Sequence, residues 1–257
     1  MTVRYETEGR IARVTIDRPA RLNAVDADAD TELERIWSDL ESRDDISCIV
    51  LTGAGEKAFC AGADLKDTGK QGVDYWADPR PNGFGGIAFR RTLDIPVIAR
   101  VNGYALGGGF EMVLGCDIVV AAETARFSLP EGRVGRMPLD GGMVMLPRKI
   151  PHNLAMGMLM TGRQVPAGEL HRWGLVNEVC APDDLDATVE RWVADILACA
   201  PLSLRAIKQT VNRTAHLAPA EAQALKLPAL IAALTSEDGI EGVKAFQEKR
   251  APVWQGR

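Results

Sequence analysis

Apolar and polar positions along this chain fall into short blocks of two periods. Residues 10–17 carry Ile11, Val14 and Ile16 among polar neighbours and read as a strand, ended by Arg18-Pro19. Asp26 is placed to cap a helix running to residue 43, in which Leu33, Ile36, Trp37 and Leu40 share one face. Residues 46–51 (ISCIVL) form a continuous apolar strand, followed by the turn Thr52-Gly53-Ala54-Gly55. The alternation then repeats: a strand over 96–101, a helix over 109–115, a strand over 116–121, and Phe127-Ser128-Leu129 leading into Pro130-Glu131. Strands alternating with helices predict an α/β architecture. From about Asp183 onward the pattern is helical only, over 184–199, 202–216 and 219–249, with Pro201 and Pro219 as punctuation. The apolar positions of that tail (Leu225, Leu227, Leu230, Ile231, Leu234) need a partner surface, on the core or on a neighbouring subunit. Residues 66–86 are the one long irregular stretch, with Tyr75, Trp76 and Phe84 interleaved, and a loop of that length is usually functional.

Composition narrows the class without naming it. At 257 residues, 46% hydrophobic and 25% charged, the chain is long enough to bury a real core. A net charge of −5 argues against a nucleic-acid groove as the main surface. The arginines at 90–91, 133 and 136 read as solvated faces and ion pairs. No apolar run approaches the length of a membrane span, and neither a signal segment nor a peroxisomal address is visible, so a cytoplasmic location is expected. The five cysteines lack Cys-x-x-Cys spacing and read as small core residues in a reducing compartment. His152, His171 and His216 have no metal-ligand spacing, and no metal is expected.

Chemistry enters at two glycine-bearing turns, Ala61-Gly62-Ala63-Asp64 and Gly107-Gly108-Gly109, each ending a buried-strand run. Glycine lets backbone amides approach a ligand closely, and two amides converging on one oxygen make an oxyanion hole. Two carboxylates stand nearby in the pattern: Glu111 in the first turn of the second helix, and Glu131 after a proline at a strand end. Each alone has a bland reading, as a helix-dipole partner and as a loop residue. Together with the two turns they fit acyl chemistry with a paired acid and base. Cys60 lies in the first turn with no local histidine to activate it and reads as packing.

Three motifs carry a family resemblance: Ala58-Phe59-Cys60-Ala61-Gly62-Ala63-Asp64-Leu65, Asn102-Gly103-Tyr104-Ala105-Leu106-Gly107-Gly108-Gly109-Phe110-Glu111, and Phe127-Ser128-Leu129-Pro130-Glu131. With the opening Arg18-Pro19-Ala20-Arg21-Leu22-Asn23-Ala24 and the closing Ala245-Phe246-Gln247-Glu248-Lys249-Arg250, the chain resembles the crotonase (enoyl-CoA hydratase/isomerase) superfamily along its length. The likeness is greatest to its carnitinyl-CoA dehydratase (crotonobetainyl-CoA hydratase) branch, through residues 81–86, 109–111, 237–242 and 252–257. Where short-chain hydratases usually carry Gly-Ala-Gly-Gly after the proline, this chain has Leu139-Asp140-Gly141-Gly142, which would reshape the floor of an acyl pocket.

The resemblance implies a spiral of ββα turns over residues 1–198 and a helical region over 199–257 that assembles a homotrimer or a dimer of trimers. It implies an oxyanion hole from the Ala63 and Gly108 amides, with Glu111 and Glu131 as the hydratase glutamates. Ala20, Arg21, Leu22 and Ala24, with Ala61, Gly62 and Leu65, would line the coenzyme A moiety, and Gly141 the substrate pocket. Phe246 and Lys249 would reach the nucleotide from an adjacent subunit. Coenzyme A is then part of the substrate, and no separate cofactor is expected. Hydration of a 2-enoyl-CoA is the implied reaction. A Δ3,Δ2-enoyl-CoA isomerase, an acyl-CoA hydrolase and a non-catalytic acyl-CoA binder remain open. Tyr75, Trp76 and Phe84 read either as an aromatic face for a quaternary ammonium or as plain hydrophobic anchors.

Overall fold

A hairpin opens the chain: β1 (Val3–Glu8) pairs antiparallel with β2 (Ile11–Ile16). Sequence pattern alone did not single out the first strand, whose outer positions are exposed. The computed structural model describes residues 2–64 and 72–257. Helix α1 (Ala27–Glu41) starts where expected, because the Asp26 side chain accepts the Ala29 N–H at 3.0 Å. Its buried face is Ala29, Leu33, Ile36, Trp37 and Leu40.

Strands then come in consecutive pairs, each sending one member to each of two sheets. The pairs are β3 (Cys48–Gly53) and β4 (Ala58–Cys60), β5 (Val97–Val101) and β6 (Tyr104–Leu106), and β7 (Ile118–Ala122) and β8 (Arg126–Ser128). The short helix α2 (Val73–Ala77) follows the first pair, α3 (Gly108–Gly115) the second, and α4 (Gly142–Lys149) and α5 (His152–Thr161) the third. Next come β9 (Val165–Pro166), α6 (Ala167–Arg172), β10 (Glu178–Cys180) and α7 (Leu185–Leu197). The larger sheet runs β1-β2-β3-β5-β7-β10 and the smaller β4-β6-β8-β9. Apart from the first hairpin and the β8–β9 edge, pairing is parallel. This is the ββα spiral.

The continuous apolar runs follow from that layering. Successive strand side chains point to opposite faces, so a strand covered on both sides is apolar throughout. Ile49, Leu51, Val97, Ala99, Val101, Val119 and Ala121 belong to the main core. Their neighbours Cys48, Val50, Ile98, Val120 and Ala122 pack on the other face against Leu185, Val189, Val193 and Ile196 of α7.

The expected tail helix over 219–249 is three helices: α9 (Pro219–Ala224), α10 (Pro228–Leu234) and α11 (Glu237–Glu248). Pro228 and the Ser236 cap interrupt the periodicity. Before them, α8 (Pro201–Thr214) docks on the core through Lys208, whose Nζ lies 2.6 Å from Asp117 and donates to the Ile95 carbonyl at 2.8 Å. Among the described residues, no helix is long and apolar enough to cross a membrane.

Candidate active site

Two buried asparagines shape the first glycine turn. Asn23 Nδ2 donates to the carbonyls of Ala54 (2.9 Å) and Ala58 (2.7 Å), and Asn102 Nδ2 to those of Gly53 (3.0 Å) and Ala58 (3.1 Å). They fix the loop that feeds β4, and β4 ends at Cys60 where the turn begins. The chain at 22–25 is laced to that turn: Ala61 N–H donates to Leu22 O, Val25 N–H to Gly62 O, and Asp64 N–H to Val25 O.

The two glycine turns nest against each other. Gly62 has φ +92°, and a Cβ there would lie 2.9 Å from the Leu106 carbonyl and 3.4 Å from the Gly108 amide nitrogen. Gly107 has φ +53° and starts α3, whose second residue Gly109 lies so close to Cys60 that a Cβ would overlap its carbonyl oxygen. Both contacts demand glycine. Among the described residues, the amides of Ala63 and Gly108 donate no hydrogen bond within the chain. Gly108 opens α3, so its N–H is one of the donors a helix cannot satisfy itself.

Glu111, in the first turn of α3, is 3% exposed, and its Oε1 accepts the Gly142 N–H at 2.8 Å. Burial, then the Asp140 carboxylate, then Glu131 push its carboxyl up to about 8, against the pull of the Gly142 and Asp140 amides. Glu131 begins a 3-10 turn (Glu131–Val134) after β8, and its Oε1 lies 2.8 Å from where a Cβ of Gly107 would be. Its Oε2 is buried and accepts no hydrogen bond among the described residues. Burial raises its pKa, with a smaller push from Asp140. Two carboxyls of raised pKa thus flank the turn that carries the free Gly108 amide. Cys60, behind the first turn, is a buried thiol pushed up to about 12, a packing residue.

The model of the enoyl-CoA hydratase/isomerase family matches residues 6–257. The chain belongs to that family. It is an enzyme of the enoyl-CoA hydratase type, and its fold is the crotonase fold. It is 39% identical over 260 residues to a carnitinyl-CoA dehydratase of Citrobacter koseri, covering 100% of this chain and 99% of that protein. With a carnitinyl-CoA dehydratase of Escherichia coli K12 it shares 40% over 253 residues, 97% of this chain and 96% of the relative. Among solved structures, an enoyl-CoA hydratase of Mycobacterium tuberculosis H37Rv superimposes with TM-score 0.90 at 34% identity, over 100% of this chain and 99% of that one. An enoyl-CoA hydratase of Bacillus anthracis gives 0.91 at 29% identity, over the whole of both chains.

In this family member, the residues expected at coenzyme A fall into two groups. Ala20, Arg21, Leu22 and Ala24 lie in and just after a 3-10 turn (Pro19–Arg21), beside Ala61 and Gly62 through the bonds given above. Leu65 lies outside the described residues. Gly141, with φ +121°, backs onto Phe89 and Met145. Phe246 is 85% exposed on α11, which packs on α10, and Lys249 caps that helix in a left-handed conformation. The single chain seats neither of these two at the glutamate pair.

Tyr75 and Phe84 are not open aromatic faces, because the Arg80 guanidinium already sits over both rings, 5.6 and 5.7 Å from their centroids. Phe84 is buried, as an anchor should be, and its ring covers Gly108. Trp76 is exposed. Arg90, read as part of a solvated face or an ion pair, makes ion pairs with Glu34 (2.6 Å) and Glu41 (2.7 Å) but is buried rather than solvated. Sequence reasoning also missed how Asp140 is held: the Tyr75 hydroxyl donates to its Oδ2 at 2.6 Å, and the Arg80 guanidinium and Phe84 amide add their pull on its charge. No local pattern announces a contact spanning 65 residues.

Proposed function

We propose that this chain adds water reversibly across the double bond of a 2-enoyl-CoA, on an acyl group of the kind its carnitinyl-CoA dehydratase relatives take by name. The thioester carbonyl docks on the Ala63 and Gly108 amides, which stabilise the negative charge that develops there; losing one such donor typically costs about 2.7–4 kcal/mol of barrier. The positive end of α3 points the same way. The water oxygen bonds to Cβ while its proton passes to Glu111, and Glu131 delivers a proton to Cα. Dehydration runs the same path backwards. The pair therefore holds one proton at either end of the reaction, and its mutual raising by burial suits that sharing. Because water is neutral, kcat/KM has the same pH profile in both directions. It falls on the alkaline side as pH rises through about 8, where Glu111 releases the last proton.

The observation that carries this reading is the nesting of two glycine turns, with undonated amides, between the buried Glu111 carboxyl and the half-buried Glu131 carboxyl. The nearness of residues 20–24 to Ala61 and Gly62 supports that rim as the coenzyme A site. Exposed Phe246 and Lys249 are then contributed to the nucleotide of a neighbouring copy in a homotrimer or a dimer of trimers.

The test is turnover of crotonyl-CoA and crotonobetainyl-CoA by the purified protein, with products identified by mass. Water addition is expected, with preference for crotonobetainyl-CoA, and Glu131→Gln should lower kcat by at least about 100-fold. Isomerised product, free coenzyme A, or a Glu131→Gln enzyme within a few-fold of wild type would overturn the reading.

A further inference from the structure

Glu111 does not stand alone against the solvent side of α3. The segment after Pro138 holds its carboxyl through the Gly142 N–H at 2.8 Å, and the Asp140 amide adds its pull on the charged form. The side chain of the same Asp140 is pinned by the Tyr75 hydroxyl at 2.6 Å. Tyr75 in turn sits under Arg80, which forms an ion pair with Asp30 at 2.7 Å, and Asp30 accepts the Gly85 N–H at 3.0 Å. A chain of charge-assisted bonds thus runs from α1 through α2 to the glutamate. We propose that Tyr75 and Asp140 are a positioning pair for Glu111, holding the segment whose amides grip its carboxyl and setting a second negative charge against it.

Among the described residues, three titratable groups from other elements act on Glu111. Asp140 comes from the segment before α4, Glu131 from the turn after β8, and Tyr75 from α2. From β4 the nearest titratable group is the Cys60 thiol, which stays protonated. Among the described residues, Arg80 is a cation that acts on Asp140, and it is already paired with Asp30. Asp140 is therefore the charge a substitution can remove without touching either glutamate. Like charges disfavour each other's ionisation, so Asp140 keeps the proton on Glu111 to higher pH. The consequence for turnover rests on the hydration reading above; the coupling does not, because the segment that Tyr75 pins through Asp140 is the one that holds Glu111 through Gly142.

The experiment labels the side-chain carboxyl carbons of glutamate with 13C and assigns Glu111 through Glu111→Gln. Its titration is then followed in wild type, Asp140→Asn and Asp140→Ala, the second neutral variant guarding against failure of the first to fold. Wild-type Glu111 should titrate near 8, and the neutral variants at least about one pH unit lower. The alkaline limb of kcat/KM should move down by the same amount. In Tyr75→Phe, kcat should fall about ten-fold, equivalent to ~1.4 kcal/mol, at unchanged KM. A Glu111 midpoint that stays in place in both neutral variants overturns the proposal, and an unchanged kcat in Tyr75→Phe removes Tyr75 from it. A midpoint that moves in a protein hydrating no enoyl-CoA keeps the coupling and discards the hydratase reading. Intact hydration with an unmoved midpoint does the reverse.

Discussion

Glu111 is a carboxyl placed where water cannot reach it, and the molecule bears a cost for that. Its folded pKa of about 8 lies above the ordinary 4.5, so the folded chain binds this proton more tightly than the unfolded one. The resulting stability is complete below the ordinary value and drains away as pH rises towards 8. Glutamine keeps the shape and the oxygen that accepts from Gly142 but does not titrate. Glu111→Gln should therefore melt higher than wild type by a wider margin at pH 8 than at pH 5; each ~1 kcal/mol would show as about 2–4 °C. Equal margins at the two pH values would mean that the carboxyl is already solvated in the folded state. The resemblance pointed to Glu111 and Glu131 and put Asp140 at the floor of the pocket, but not that its charge would act on Glu111, because that neighbour arrives from another part of the chain.

At the scale of elements, the site depends on short strands that could not hold their positions alone. β4 and β6 have three residues each, and the turns after them are fixed by what lies behind. Asn23 is the clearest case: it is fully buried, takes a left-handed φ of 56°, and satisfies two carbonyls from the loop before β4. Asn23→Ala strips the Ala54 carbonyl of this donor, leaves Ala58 to Asn102 alone and places a residue less suited to that φ, so unfolding by denaturant should show a loss of about 2–4 kcal/mol. An unchanged midpoint would mean that water replaces the amide. The elements themselves were readable where one face is buried and a cap is local, as with α1, β3 and α3. The breaks at Pro228 and Ser236 were passed over because apolar residues continue across them at helical spacing.

Across the whole molecule, the last three helices leave a face that the chain does not cover. Ile231, Leu234, Ile240, Val243 and Phe246 are all exposed on α10 and α11. Large apolar residues clustered in this way mark a contact with another protein surface. The assembly of identical copies proposed above would cover them and would bring Phe246 and Lys249 to a neighbour's substrate. Leu234→Asp combined with Phe246→Asp should therefore reduce the mass seen by light scattering and raise KM for the acyl-CoA while leaving the far-ultraviolet dichroism intact. A mass and KM unchanged from wild type would place the subunit contact elsewhere.

The sequence by itself determined the alternation of strands and helices, the two glycine turns and both glutamates, because periodicity, caps and glycine requirements are set by neighbours in the chain. The meeting of Gly62 with Gly108, the taking of the Tyr75 and Phe84 rings by Arg80, and the Tyr75–Asp140–Glu111 line were decided only by the tertiary structure. Those depend on which distant segments the two sheets bring together, and burial among them is what moves a proton from one carboxyl's ordinary range to another.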